Sequence, residues 1–246
     1  MSLDSHCFAL HVTSLNLTKL ADSVCKIDKS LDAQLIHRIY SILRLKENER
    51  VILFNETHYA LVLLKKISPR ELILYFEEIQ PHVSLDPSVT WWLPLLKKEA
   101  FEQALYTLTE MGAQSIIPIR TQKSSHKWGT SKEYDRARAI MIAAAEQSKQ
   151  FLIPKLEPVQ ELLQCKADSE VKVFFDASGK PFIQSLKEQN ISTQSIIACS
   201  GPEGDLTTDE KNYLKMQGFV FCKLTKTVLR AQQAVALGLG ILRTVL

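Results

Sequence analysis

The sequence predicts an α/β protein: a mostly parallel sheet with helices on both faces, preceded by a smaller β-rich module. Three observations predict it. From Val89 onward, apolar runs of strand length alternate with stretches of helical periodicity, the pattern of a parallel sheet wound by crossover helices. Between Ile196 and Ala231 a strand twice ends in a turn and gives way to a helix. Residues 1–76 instead hold short segments rich in Val, Ile, Leu, Tyr and Phe, separated by polar turns, around one helix.

Each element follows from its residues. Asp32–Leu43 places Leu35, Ile36, Ile39 and Leu43 at helical spacing, with Asp32 near the start. Strands are expected at Arg50–Phe54, Tyr59–Lys65 and Glu71–Phe76, completing a small β-barrel-like module over 1–76. Residues 77–88, EEIQPHVSLDPS, carry two prolines and little periodicity and are expected to be a linker. In the second domain, 89–246, strands are expected at Val89–Leu95, Ser115–Ile119, Val171–Asp176, Gln194–Cys199 and Phe219–Leu224. Helices are expected at Lys97–Met111, Glu133–Lys149, Pro181–Gln189, Thr207–Gln217 and Val228–Leu246. Gly112 and Gly218 suit left-handed helix caps. Thr207 and Glu210 have the spacing of a capping box. Trp91 and Trp92 lie in one strand and are assigned to the core.

Composition narrows the class. With 246 residues, 46% hydrophobic and 23% charged, the chain is ordinary for a globular protein. No apolar run approaches the roughly 20 residues that cross a bilayer. The start, MSLDSHCFALHV, lacks the basic-then-apolar order of a signal peptide, so a cytoplasmic location is expected. The five cysteines form no C-x-x-C pair and the six histidines show no ligand spacing, so neither disulfides nor a metal is expected. A net charge of +3 confines any nucleic-acid surface to a local patch. The best such patch is Arg120–Arg138, with Arg120, Lys123, Lys127, Lys132, Arg136 and Arg138 interleaved with Ser124, Ser125, His126 and Trp128. It reads either as a phosphate-binding and base-stacking surface or as a solvated basic loop.

The chemistry concentrates in Ile196–Ala231. A strand ending in a glycine-bearing turn exposes backbone donors and acceptors, and open α/β sheets bind ligands at the carboxyl ends of their strands. Gly201-Pro202-Glu203-Gly204 is neither a dinucleotide fingerprint nor a P-loop, and alone it is a structural turn as readily as a site.

These residues resemble the RsmE family of ribosomal RNA methyltransferases in the SPOUT superfamily. The family's Gly-Pro-Glu-Gly-Gly turn, Asp-Glu helix and Leu-Gly-x-x-x-Leu-Arg element are matched by Gly201-Pro202-Glu203-Gly204, Asp209-Glu210, Leu224 and Val228-Leu229-Arg230. Thr109-Glu110-Met111-Gly112 with Ile117-Pro118, Ala144-Ala145-Glu146-Gln147-Ser148 with Pro154, and His37 with Ile42-Leu43-Arg44-Leu45-Lys46 match further elements in order. The chain departs from the pattern at Asp205, Thr225, Gln232, Gln233, Thr107 and Gln150, which leaves the fold intact and bears on rate and substrate.

The resemblance implies a PUA-like RNA-binding barrel followed by a SPOUT trefoil-knot domain. The cofactor would be S-adenosylmethionine, held by Ser200, Gly201, Pro202, Glu203, Gly204, Leu224, Thr225, Val228 and Leu229. The reaction would be methylation of N3 of a uridine in the decoding region of 16S rRNA in the 30S subunit, by a homodimer; neither membrane nor DNA is an expected partner. Arg230 is the candidate to stabilise the uridine anion, or else a dimer or phosphate contact. Glu203 either takes the proton or satisfies turn amides. Arg44, Lys46, Arg120, Lys123, Lys127, Trp128 and Arg138 are the candidate RNA contacts. The alternatives are a SPOUT methyltransferase with another RNA target and a non-catalytic RNA-binding or assembly protein.

Overall fold

The computed structural model describes residues 7–124, 127–182, 184–185 and 195–245. Ser125, His126, the end of the Pro181–Gln189 helix, Gln194 and Leu246 lie outside the described residues. The chain forms two compact units, 1–83 with 145–152, and 84–144 with 153–246.

The first unit contains β1 (Phe8–His11), β2 (Val24–Asp28), α1 (Lys29–His37), β3 (Arg50–Phe54), β4 (His58–Ile67) and β5 (Glu71–Pro81). Its sheet runs β1-β3-β4-β5-β2, antiparallel except for β1 beside β3. Alternation selects the core: Ala60, Val62 and Leu64 of β4 are fully buried, as are Leu72, Leu74 and Phe76 of β5. The helical stretch has two starts. Asp28 accepts from the Ser30 and Leu31 N–H groups. Asp32 then leaves helical geometry (φ −155°, ψ 86°) and its Oδ1 accepts from Leu35 N–H at 2.8 Å, capping the segment that buries Leu35, Ile36 and Ile39. A π-turn follows over Arg38–Ile42. β5 runs to Pro81, so the first five residues of the expected linker are strand, held by pairing to β4.

Glu146 explains one matched motif. Its carboxylate accepts two bonds from the Arg38 guanidinium, both 2.7 Å, and one from His11 N–H at 2.8 Å. That charge-assisted fork ties residues 145–152 to the first unit.

The second unit is a parallel sheet. It comprises β6 (Ser88–Pro94), β7 (Ser115–Arg120), β8 (Lys155–Leu156), β9 (Gln160–Glu161), β10 (Val171–Pro181), β11 (Ser195–Ser200) and β12 (Val220–Lys223). The order is β12-β10-β11-β6-β7-β8, with β9 also pairing β7. Among the described residues its helices are α2 (Lys98–Glu110), α3 (Ser131–Ser148, its last four residues in the first unit), α4 (Thr208–Met216) and α5 (Ala231–Val245). Successive strand residues serve opposite faces. Trp91 stacks on Phe175 in one core, while Trp92 meets Phe219 in the other, with Phe174 beside it. α5 seats on the first face at Gly238, where a Cβ would stand 2.7 Å from Phe175 and 2.9 Å from Trp91.

The local signals hold. Gly112 (φ 72°) and Gly218 (φ 84°) are left-handed. The Thr207–Glu210 capping box is complete. Glu210, only 2% exposed, also accepts from the Gln122 N–H at 2.7 Å, pinning the turn after β7 to α4. Among the described residues no helix is long and apolar enough to cross a membrane.

Candidate functional site

A cavity of about 1040 Å³ lies at the carboxyl ends of four neighbouring strands, β12, β10, β11 and β6. Three segments wall it: Ser200–Glu203 with Asp205 after β11, Leu224–Arg230 after β12, and Phe175–Ser178 of β10, with Lys97 and Ala100 at the start of α2 closing one side. The structure therefore brings together Ser200, Gly201, Pro202, Glu203, Leu224, Thr225, Val228, Leu229 and Arg230; Gly204 lies in the turn but does not line the cavity.

The turn after β11 is heavily tied down. Asp205 N–H donates to Pro202 O at 3.0 Å. Glu203 Oε1 accepts from Lys97 N–H at 3.0 Å, the service that a capping box performs within one helix. Lys123 donates to Gly204 O at 2.9 Å. Asp205 sits at φ 58°, the left-handed region that favours the family's glycine and that Asp tolerates through local hydrogen bonding. Gly201 keeps open space before it: a Cβ there would meet nothing nearer than Asp205 Oδ1 at 3.5 Å. Ser200 Oγ is buried and has no hydrogen-bond partner among the described residues, a polar group whose burial is costly unless a ligand completes it.

The turn after β12 is looser. Its side-chain bond is from Thr225 Oγ1 to Thr227 O, 2.6 Å. Thr225 has no positive φ, so this backbone does not require glycine. Val228 is 87% exposed. Arg230 lies one residue before α5 rather than in its first turn, its carbonyl accepting from Gln233 and Ala234 N–H. Its side chain is exposed and has no ion-pair partner among the described residues.

One wall was not legible in the sequence. Phe175 and Lys180 both stand opposite Cys222, so β10 leaves the ladder for residues 176–179, and Asp176, Ala177 and Ser178 line the cavity. Gly179 makes this possible: a Cβ there would lie 2.5 Å from Cys222 N and from the Phe221 carbonyl.

The expected RNA contacts scatter. Arg120 pairs with Glu161 at 2.7 Å. Lys123 is engaged with Gly204. Trp128 packs between Phe101 (5.2 Å) and Tyr134 (4.5 Å) against the core. Lys127 and Arg138 are exposed, and Arg44 (φ 52°) and Lys46 are exposed in the first unit. Among the described residues no cysteine lines the cavity, and burial pushes Cys165 up to about 11 and raises Cys199 and Cys222.

A cavity built from strand-end turns of a parallel sheet stands where α/β domains bind small molecules, and here that domain follows a five-stranded β module. The model of the RNA methyltransferase domain family matches residues 84–243, and the chain belongs to that family, in agreement with its RsmE-like motifs. It is 28% identical over 224 residues to the ribosomal RNA small subunit methyltransferase E of Bacillus subtilis, covering 83% of this chain and 85% of that one. It is 26% identical to the Rickettsia conorii protein of the same name, covering 88% of each. Two solved structures share the fold over 98% of both chains at 18% identity: a Legionella pneumophila protein with bound S-adenosylmethionine (TM-score 0.81) and the Neisseria gonorrhoeae ribosomal RNA small subunit methyltransferase E, also bound to it (TM-score 0.80).

The cavity suits that molecule. Its lining charges balance, Lys97, Lys211, Lys223 and Arg230 against Glu99, Asp176, Glu203 and Asp205, which fits a ligand bearing both signs. Ser200 offers an uncommitted hydroxyl, and Gly201 leaves the backbone open.

Proposed function

We propose that this chain is an S-adenosylmethionine-dependent RNA methyltransferase acting on N3 of a uridine in the decoding region of 16S rRNA. The observation that carries the reading is the meeting of the Ser200–Gly204 and Leu224–Leu229 turns on one strand-end cavity with the unpartnered Ser200 hydroxyl. The names of the full-length relatives supply the substrate class.

Bound in this cavity, S-adenosylmethionine supplies an electrophilic methyl group on a sulfonium. The backbone of the two turns and Ser200 Oγ hold and orient it, which is catalysis by proximity. Uridine N3 gives up its proton to solvent water as it takes the methyl group, and Arg230, exposed at the cavity rim, stabilises the anion spreading onto the carbonyl oxygens O2 and O4. Glu203 is engaged at Lys97 N–H, so its role is to hold the turn. The exposed cations Arg44, Lys46, Lys127 and Arg138 take the RNA phosphates. Val228 and Leu237 offer apolar surface to a second copy, forming the homodimer. Action on ribosomal RNA makes the cytoplasm the working compartment.

The test is transfer of labelled methyl groups from S-adenosylmethionine to unmodified 30S subunits and to free 16S rRNA, followed by mapping. Label at N3 of a single decoding-region uridine is the expected result. Label at another nucleotide makes this a methyltransferase with a different target. Cofactor binding without transfer to either substrate contradicts the 16S rRNA target and points to another RNA, whereas neither binding nor transfer leaves a non-catalytic RNA-binding protein.

A further inference from the structure

Lys211 projects from α4 and belongs to neither turn, yet it joins two walls of the cavity. Its ammonium donates to Asp176 Oδ2 at 2.8 Å and to Asp205 Oδ2 at 2.9 Å. The other oxygen of each carboxylate grips the main chain. Asp176 Oδ1 accepts from Ser178 N–H at 2.8 Å and from the Ser178 hydroxyl. Asp205 Oδ1 accepts from Leu206 N–H at 2.7 Å. A continuous hydrogen-bonded path therefore runs from the β10 bulge, through Lys211, to the backbone of the turn after β11.

The two arms differ in strength. The Asp176 side chain is 8% exposed and that of Asp205 is 59% exposed. An exposed ion pair contributes little, whereas removing one partner of a buried pair strands the other charge. Burial opposes the Asp176 charge, but the bonds from Lys211 and Ser178 outweigh it and keep the carboxyl below its ordinary range. Burial likewise opposes the Lys211 charge, and the two carboxylates more than offset it.

We propose that Lys211 is a positioning residue that fixes the 176–178 bulge against α4, with a weaker tie to the 201–205 turn, and thereby sets affinity for S-adenosylmethionine. The proposal rests on the assignment of this cavity to that cofactor. Asp205, where the family pattern has glycine, adds a second, weaker arm that ties the turn directly to Lys211.

The test is titration calorimetry with S-adenosylmethionine, together with turnover kinetics and melting curves, on the full chain and on K211M, K211R and D205G. K211M is expected to weaken cofactor binding about tenfold or more, roughly what a lost positioning interaction produces. KM for the cofactor should rise by the same factor, while kcat at saturation changes by less than about threefold. K211R should recover most of the affinity, and D205G should cost no more than about threefold because the buried arm persists. Wild-type affinity in K211M overturns the proposal, as does a loss in kcat alone or a loss that K211R fails to rescue. Should K211M not fold, D176N carries the same expectation and the same refutation. An unaltered protein that binds no S-adenosylmethionine overturns the cavity assignment and the proposal with it.

Discussion

The two turns that face each other across the cavity are built to opposite standards. The Ser200–Asp205 turn is closed by its own Asp205 N–H to Pro202 O bond and held from three outside directions, by Lys97 N–H, Lys123 and Lys211. Among the described residues the side-chain bonds of the Leu224–Arg230 turn stay within it, from Thr225 Oγ1 to Thr227, and Lys226, Thr227, Val228 and Arg230 are exposed. The side-chain ties that reach it from Lys97, Lys123 and Lys211 make the first a fixed wall that shapes the cavity. The second is a lip whose side chains stay available to what arrives from outside. Binding should respond to damage in the wall, and turnover to damage in the lip.

The largest effect should come from the lip. Arg230→Ala is expected to lower kcat about 100- to 1000-fold, as loss of a charge that stabilises a developing anion does. Cofactor affinity should stay within about threefold, read by calorimetry. Parallel losses in both would place Arg230 in the wall.

Gly201→Val follows. The β-carbon has room within the protein, so the variant should fold, but its methyl groups enter the cavity. Binding of S-adenosylmethionine should fall about 100-fold, the equivalent of overpacking by ~3 kcal/mol. Undiminished affinity would remove the turn from the site.

Glu203 separates two roles cleanly. Glu203→Gln keeps an oxygen for Lys97 N–H, so turnover should stay within about threefold; a proton acceptor would lose about 100-fold or more. Glu203→Ala should cost ~1 kcal/mol in thermal or urea unfolding, the cost of a lost helix cap.

The smallest effect concerns acid. The Asp176 carboxyl is held below its ordinary value of 3.8 in the folded protein. Its contribution is therefore fully present above that value and is lost as pH falls through the depressed one. Asp176→Asn should lower the melting temperature near neutrality, where that contribution is complete, and flatten the acid limb of a pH series, so that the two proteins converge at low pH.

What the sequence revealed and what it hid divide along the same physical line. Signals carried by neighbouring residues were legible: glycine caps at 112 and 218, the Thr207–Glu210 box, and the strand-turn-helix pattern at Ser200–Gly204. The wall formed by the β10 bulge was not, because its shape is set by β12 passing against Gly179, far along the chain. β1, β2, β8 and β9 escaped individual prediction because short strands owe their existence to partners distant in sequence. Lys123 looked like an RNA contact from composition, yet its ammonium is bonded to Gly204 O. Trp128 looked free to stack and is packed on Phe101 and Tyr134.

A crystal structure of this protein grown with S-adenosylmethionine tests the central claim most directly. The cofactor should lie between Ser200–Asp205 and Leu224–Arg230, with the Ser200 hydroxyl satisfied by it. Cofactor density elsewhere, or a filled cavity in which Ser200 Oγ stays without a partner, would contradict the account.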